Sequence, residues 1–242
     1  MKLGIVATIT GLPHEHALMK KKLTQKEAFK LGAEYQFIES IPMGPWTSFS
    51  LLNDPIHISF VLARYKFCAR MLTGKKSILE VGCGDAPGTP IVAEFTNRLL
   101  ALDVDDRLIN NNRKRLAKIS NIEFRNYNIC ETPLSEKFDA AFSIDVIEHL
   151  DKPLNKPFLE NTTKSLHSDG VCIIGTPNIT ANKYASKRSR TQHINLQSHK
   201  SLRKRLERYF ENVFIFSMND EVIHTGYLPM AHYLFGMGVG VR

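Results

Sequence analysis

The run Ile78-Leu79-Glu80-Val81-Gly82-Cys83-Gly84-Asp85-Ala86-Pro87-Gly88, followed by Leu99-Leu100-Ala101-Leu102-Asp103, constrains this chain more than any other stretch. An apolar strand opening into a glycine turn leaves bare backbone for a ligand to approach. An acid about twenty residues later can hold the hydroxyls of a ribose. The pair therefore describes a strand–turn–helix–strand unit with a nucleotide-type cofactor site. A dinucleotide fingerprint would carry its third glycine one position before Gly88. Glu80 and Asp85 are also poor neighbours for a pyrophosphate, whereas a sulfonium ligand with an ammonium group is cationic and suits both.

From Gly74 onward, short apolar segments alternate with helical patterns, the signature of βαβ units and a parallel sheet. Strands are expected near Ser77–Val81, Leu99–Asp103, Ile122–Asn126, Ala140–Ile144, Val171–Gly175 and Val213–Ser217. Most lack alternation, as a sheet covered on both faces requires. Asp105 or Asp106 opens a helix whose end is basic (Arg113, Lys114, Arg115, Lys118), matching the helix dipole. Residues 1–73 are read as an N-terminal helical cap and 74–242 as the cofactor-binding domain. Within the cap, Thr24 is placed as N-cap of Gln25–Leu31, Pro42–Thr47 is a loop holding the one tryptophan, and Asp54-Pro55 opens a helix reaching Met71.

Charge is concentrated in one place. Nine basic residues and one acid, Glu207, lie between Lys183 and Arg208, and outside that stretch basic and acidic residues balance at 23 each. The excess is either a solvated face or a patch for an acidic substrate, phosphorylated or nucleic acid. Cys68, Cys83, Cys130 and Cys172 show no paired spacing, so they read as small hydrophobes in a reducing compartment. No run approaches the roughly 20 apolar residues of a membrane span, and Leu3–Thr10 is too short for a signal peptide. A cytoplasmic location is the expectation.

The glycine run resembles motif I, E-x-G-x-G-x-G, of the class I S-adenosylmethionine (SAM) methyltransferases, with Pro87 intruding and Gly88 displaced. The resemblance covers residues 55–240 and lies toward the ubiquinone-type and glycan-modifying bacterial enzymes. It implies a Rossmann-like α/β fold: a seven-stranded, mostly parallel sheet with helices on both faces, the last strand, near His232–Gly236, antiparallel beside the sixth. It further implies that Glu80, Gly82, Gly84 and Gly88 border the cofactor and that Asp103 takes the ribose hydroxyls. Val104 and Ile129 would flank the adenine with Asn128, which stands where the family usually has Asp. Arg64 and the backbone near Asp145 would face the methionine end.

Asp145-Val146-Ile147-Glu148-His149 places three functional side chains at i, i+3 and i+4, one face of a helix. It is either a capping box or a site for a hard cation or a general base. The ubiquinone-type O-methyltransferases and the small-RNA 2′-O-methyltransferases carry E-x-x-E-H here, which helps bind metal. His193, about fifteen residues after the Thr176-Pro177-Asn178 turn, matches a family histidine over the active site. The expected activity is O-methylation of a small anionic, nucleotide-linked or cell-surface glycan acceptor, with His149 and His193 catalytic. Asp145, Glu148, His149 and His193 are the candidate Mg²⁺ ligands. An RNA 2′-O-methyltransferase, a non-catalytic SAM-binding module and a dehydrogenase are the alternatives. His224 is a further candidate on a substrate loop.

Overall fold

The computed structural model describes residues 24–27 and 40–242. The chain divides into two compact units, Met1–Ser40 and Ile41–Arg242. In the first, Thr24 and Glu27 cap each other: Thr24 N donates to Glu27 Oε2 (2.8 Å), and Glu27 N donates to Thr24 Oγ1 (3.3 Å). The remainder of the helix expected to reach Leu31 lies outside the described residues.

The second unit begins with α1 (Pro45–Asn53) and α2 (Pro55–Met71), each opened by a proline at a position where its missing N–H costs nothing. There follow β1 (Ser77–Val81), α3 (Thr89–Ala93), β2 (Arg98–Asp103), α4 (Asp106–Arg115), β3 (Ile122–Asn126) and β4 (Phe138–Ile144). The chain continues with α5 (Asn155–Lys164), β5 (Leu166–Pro177), α6 (Lys187–Gln192), α7 (His199–Leu206), β6 (Phe210–Asn219), β7 (Val222–His224) and β8 (Tyr233–Val241). All lie within the second compact unit.

The strands form one sheet of eight in the order β3-β2-β1-β4-β5-β8-β6-β7. β1 to β5 pair in parallel, and β8 inserts antiparallel between β5 and β6. Side chains alternate across the sheet. Ile78, Leu99 and Ala101 face a core shared with Tyr65 and Cys68 of α2, Leu72 just after it and Val92 of α3. Leu79, Leu100 and Leu102 face a second core with Phe158 and Leu159 of α5 and Leu202 and Leu206 of α7. Each such buried side chain contributes roughly 1.5–3 kcal/mol, and burial on both faces explains why these strands read as unbroken apolar runs. Cys68, Cys83 and Cys172 are buried and unpaired.

Two local expectations change. The sheet has eight strands, not seven, because β6 turns through Asp220, whose φ is 51°, into the three-residue β7. That strand is too short and too exposed to carry a periodic signal. Pro42–Thr47 is also not wholly a loop, since α1 starts at Pro45 and takes Trp46 into a helix.

Candidate active site

The strand order reverses between β1 and β4, and the crevice at the carboxyl ends of β1, β2 and β4 is where such a sheet receives ligands. Gly82 and Gly84 have φ of 77° and 54°, conformations a side chain would strain. Gly82 N and Cys83 N donate to Leu102 O at 2.8 and 2.9 Å, fixing the turn to the end of β2. Asp103 ends that strand. Its Oδ2 accepts from Gly84 N (2.8 Å) and its Oδ1 from Asp105 N (2.9 Å), so the carboxylate is locked beside the turn with a further lone pair free on each oxygen. Val104, next to it, is 67% exposed.

α1 lies over this turn. A methyl group at Gly84 would meet Cζ3 of Trp46 at 2.7 Å. Thr47 N donates to Asp85 Oδ2 (2.7 Å), and Arg115 donates to Asp85 O (2.5 Å) and to Pro42 O (3.4 Å). Asp85 thus anchors α1 through a backbone amide, a role the sequence reading did not give it.

Glu80, Gly88, Asn128 and Ile129, expected to border the cofactor, each also meet other groups of the chain. Glu80 is buried behind the turn, where its Oε1 accepts from Tyr65 Oη (3.0 Å). Gly88 lets the Tyr65 ring approach; a Cβ there would lie 2.1 Å from it. Both therefore serve the α2 contact. Asn128 is committed locally, accepting from Cys130 N (3.1 Å) and donating to Glu131 (2.8 Å). Ile129 points into the core. Burial pushes the Glu80 carboxyl up to about 7, against the hydrogen bond from Tyr65. Because this folded-state value lies above the ordinary value of a glutamate, the contribution of Glu80 to stability is full below the ordinary value and is lost as pH rises through 7. Glu80→Gln is expected to raise Tm at pH 8 by an amount equivalent to about 3 kcal/mol, and to give no gain at pH 4. An equal gain at both pH values would refute the assignment.

At the end of β4, Asp145 adopts φ 57°, uncommon for a non-glycine residue. Its Oδ2 lies 2.5 Å from Arg64 Nη1 of α2, and the Arg64 guanidinium stacks 4.0 Å from the Tyr233 ring centroid. The capping box does not form: Asp145 faces Arg64, and Ile147–His149 is a single 3₁₀ turn. That turn buries Glu148, whose Oε2 accepts from Thr176 Oγ1 of β5 (2.9 Å) while Oε1 is buried without a partner. Burial, then the nearby Asp145 charge, holds the Glu148 carboxyl well above the usual range.

His193 closes the group from the segment after α6. Its ring centroid lies 4.9 Å from that of His149, edge to face. Ligand atoms of Glu148, His149 and His193 all fall within 4.8 Å of one another. Asp145, expected as a fourth ligand, is outside that group because Arg64 holds it. Burial, then the His149 charge, lowers the His193 pKa below the ordinary 6.5. The segment is held by buried amides: Asn195 N donates to Glu148 O (3.0 Å) and Asn195 Nδ2 to Ile147 O (2.9 Å). His224 is not drawn in. Its ring nitrogens bond Asn219 (3.1 Å) and Gly226 N (2.9 Å).

Residues 79–174 match the methyltransferase domain family. Those residues form a class I SAM-dependent methyltransferase domain. A probable SAM-dependent methyltransferase of Mycolicibacterium smegmatis is 30% identical over 115 residues, 47% of this chain and 42% of the relative. The ubiquinone biosynthesis O-methyltransferase of Rickettsia akari is 29% identical over 143 residues, 57% of this chain and 55% of that protein. The chain thus spans about half the length of the curated relatives it matches, or less. The methyltransferase domain of bacterial CtHen1-C shares the fold, with a TM-score of 0.63 at 18% identity over 75% of this chain and 99% of that one.

The methyltransferase crevice fits its cofactor, SAM. Bare backbone at Gly82 and Gly84, paired lone pairs on Asp103 and exposed Val104 suit a nucleoside. Arg64 Nε is buried without a partner, a donor suited to the carboxylate of the methionine end. Tyr233 and Trp46 complete the walls, and neither was singled out from the sequence. Tyr233 pairs with Arg64 only because β8 returns beside β5.

Proposed function

We propose that this methyltransferase domain methylates a hydroxyl of a small anionic acceptor, with His193 receiving the hydroxyl proton. The convergence of Glu148, His149 and His193 beside the Asp145 turn carries this reading. Bound SAM supplies the electrophilic methyl group. The chain's own residues align the acceptor behind it, and such positioning supplies much of the rate. A depressed pKa keeps the His193 imidazole neutral near pH 7, the form that accepts a proton. His149 Nδ1 lies 3.2 Å from Gln192 O, which orients its ring toward His193.

The unpartnered buried Oε1 of Glu148 with the two imidazoles fits a divalent cation. In a metal-assisted form of the reaction Glu148, His149 and His193 would instead hold Mg²⁺, which would lower the pKa of a bound hydroxyl, and His193 would then be a ligand rather than the base. The name of the Rickettsia relative supports oxygen as the acceptor atom. Lys183, Lys187, Arg188 and Arg190 lie on the segment leading to His193, and Arg188 stacks 5.2 Å over Phe49 of α1. This charge favours a phosphorylated, nucleotide-linked or glycan acceptor. No helix among the described residues is long and apolar enough to cross a membrane.

Isothermal titration with S-adenosylhomocysteine, with and without Mg²⁺, tests the cofactor half, and turnover of a panel of nucleotide sugars and short RNAs tests the acceptor half. Micromolar binding and turnover of a small anionic acceptor are expected. Absence of binding would return the chain to an interaction module, and selective turnover of RNA would make it a 2′-O-methyltransferase.

A further inference from the structure

A second cleft, of about 230 Å³, opens where the start of α5 meets the end of α7. Lys152, Lys156, Arg205 and Arg208 line it with Asn155 and Tyr209, and no acidic residue does. Glu160, whose charge reaches Lys156 and Tyr209, lies 2.7 Å from Lys164, and Glu207 lies 3.9 Å from Arg203. The first turn of α5 has no acidic residue and no side-chain cap, so the positive end of its dipole adds to the cations.

Asn155 provides an independent observation. It is 1% exposed, and its Oδ1 accepts from Asn195 Nδ2 at 2.7 Å. That bond fixes the amide orientation, because Asn195 Nδ2 is already a donor to Ile147 O. Asn155 Nδ2 is therefore the end without a partner, buried in a residue that lines the cleft. Leaving such a donor unmade is costly, and a ligand acceptor would supply the missing bond. Arg205 spends its Nε on Gln197 Oε1 (3.0 Å), so its two terminal nitrogens remain for the cleft.

We propose that this cleft binds a phosphoryl group, with Asn155 Nδ2 as the buried donor and Lys152, Lys156, Arg205 and Arg208 as the countercharge. Four cations around one donor suit a dianion with three oxygens better than a carboxylate. The volume is below the roughly 300–1,000 Å³ of pockets for larger ligands. The site is distinct from the methyltransferase crevice yet joined to it. Gln197 Nε2 donates to Asn195 O and Oδ1 (2.8 and 3.1 Å), and Asn195 N donates to Glu148 O (3.0 Å). Asn155 and Arg205 of the cleft bond Asn195 and Gln197, which follow His193 in the chain.

The test uses the full chain, with thermal unfolding and calorimetric titration in inorganic phosphate at constant ionic strength. Phosphate is expected to raise Tm where NaCl does not. Asn155→Asp keeps an acceptor for Asn195 but removes the donor, and Lys156→Glu with Arg208→Glu reverses charge at exposed positions. Both are expected to weaken phosphate at least tenfold while S-adenosylhomocysteine affinity stays unchanged. Equal stabilisation by NaCl, or phosphate affinity unchanged in the charge-reversed protein, would overturn the proposal. A hexose phosphate binding tighter than inorganic phosphate would identify an ester as the ligand, and equal affinities the free anion; either supports the site. The readout does not involve methyl transfer, so it stands or fails separately from the function proposed above.

Discussion

Replacing His149 and His193 together with alanine is expected to lower kcat by about 10²–10⁴-fold while leaving S-adenosylhomocysteine affinity within twofold. The two rings stand edge to face, and neither touches the glycine turn or Asp103. Because they act as a unit, each single variant should lose nearly as much as the pair. The pH profile adds a readout that mere packing would not move. The His193 pKa lies below 6.5, lowered by burial first and by His149 second. The acidic limb of kcat should accordingly fall below pH 6.5, and the residual activity of His149→Ala should have its limb shifted upward. Full turnover in the double variant would remove both histidines from the chemistry.

The glycine turn and the strands were legible in the sequence because their causes are local. Ser77–Val81 ends where the glycine turn begins, and Asp105 caps α4 by accepting from Arg107 N at 2.9 Å. Glu80 has a non-local partner that its strand could not reveal. The same alternation that puts Val81 on one face puts Glu80 under Tyr65, a residue of α2 fifteen positions earlier. Asp145 was placed on a helix by its spacing from Glu148, yet a left-handed residue and a 3₁₀ turn give a different face. The association of His149 with His193 was anticipated from resemblance. The amides that hold them, Asn155, Asn195 and Gln197, were not, since isolated Asn and Gln carry no periodic or motif signal.

The basic stretch illustrates the same limit. As a string it is one patch, but the fold distributes it. Arg188 stacks on Phe49, Arg203 donates to Val213 O (2.9 Å), and Arg205 and Arg208 line a cleft with Lys152 and Lys156. Two of those partners lie some fifty residues upstream, so net charge along the chain could register the excess but not its two destinations.

Asp103→Ala is expected to weaken S-adenosylhomocysteine by roughly 10²–10⁴-fold, because two charge-assisted hydrogen bonds to ribose are each worth roughly 1.5–3 kcal/mol. The same carboxylate also holds Gly84 N and Asp105 N, so the loss has two candidate origins: a missing grip on the ribose and a loosened turn. A ligand lacking one ribose hydroxyl separates them. If Asp103 grips the ribose, the deoxy ligand should bind wild type at least tenfold more weakly yet lose little on its own account in Asp103→Ala, since the partner of that hydroxyl is already gone. Amide exchange at Gly84 reports the other origin directly. Strictly additive losses, accompanied by faster exchange at Gly84 in the variant, would mean that Asp103 acts by building the turn and that the ribose is held by other groups.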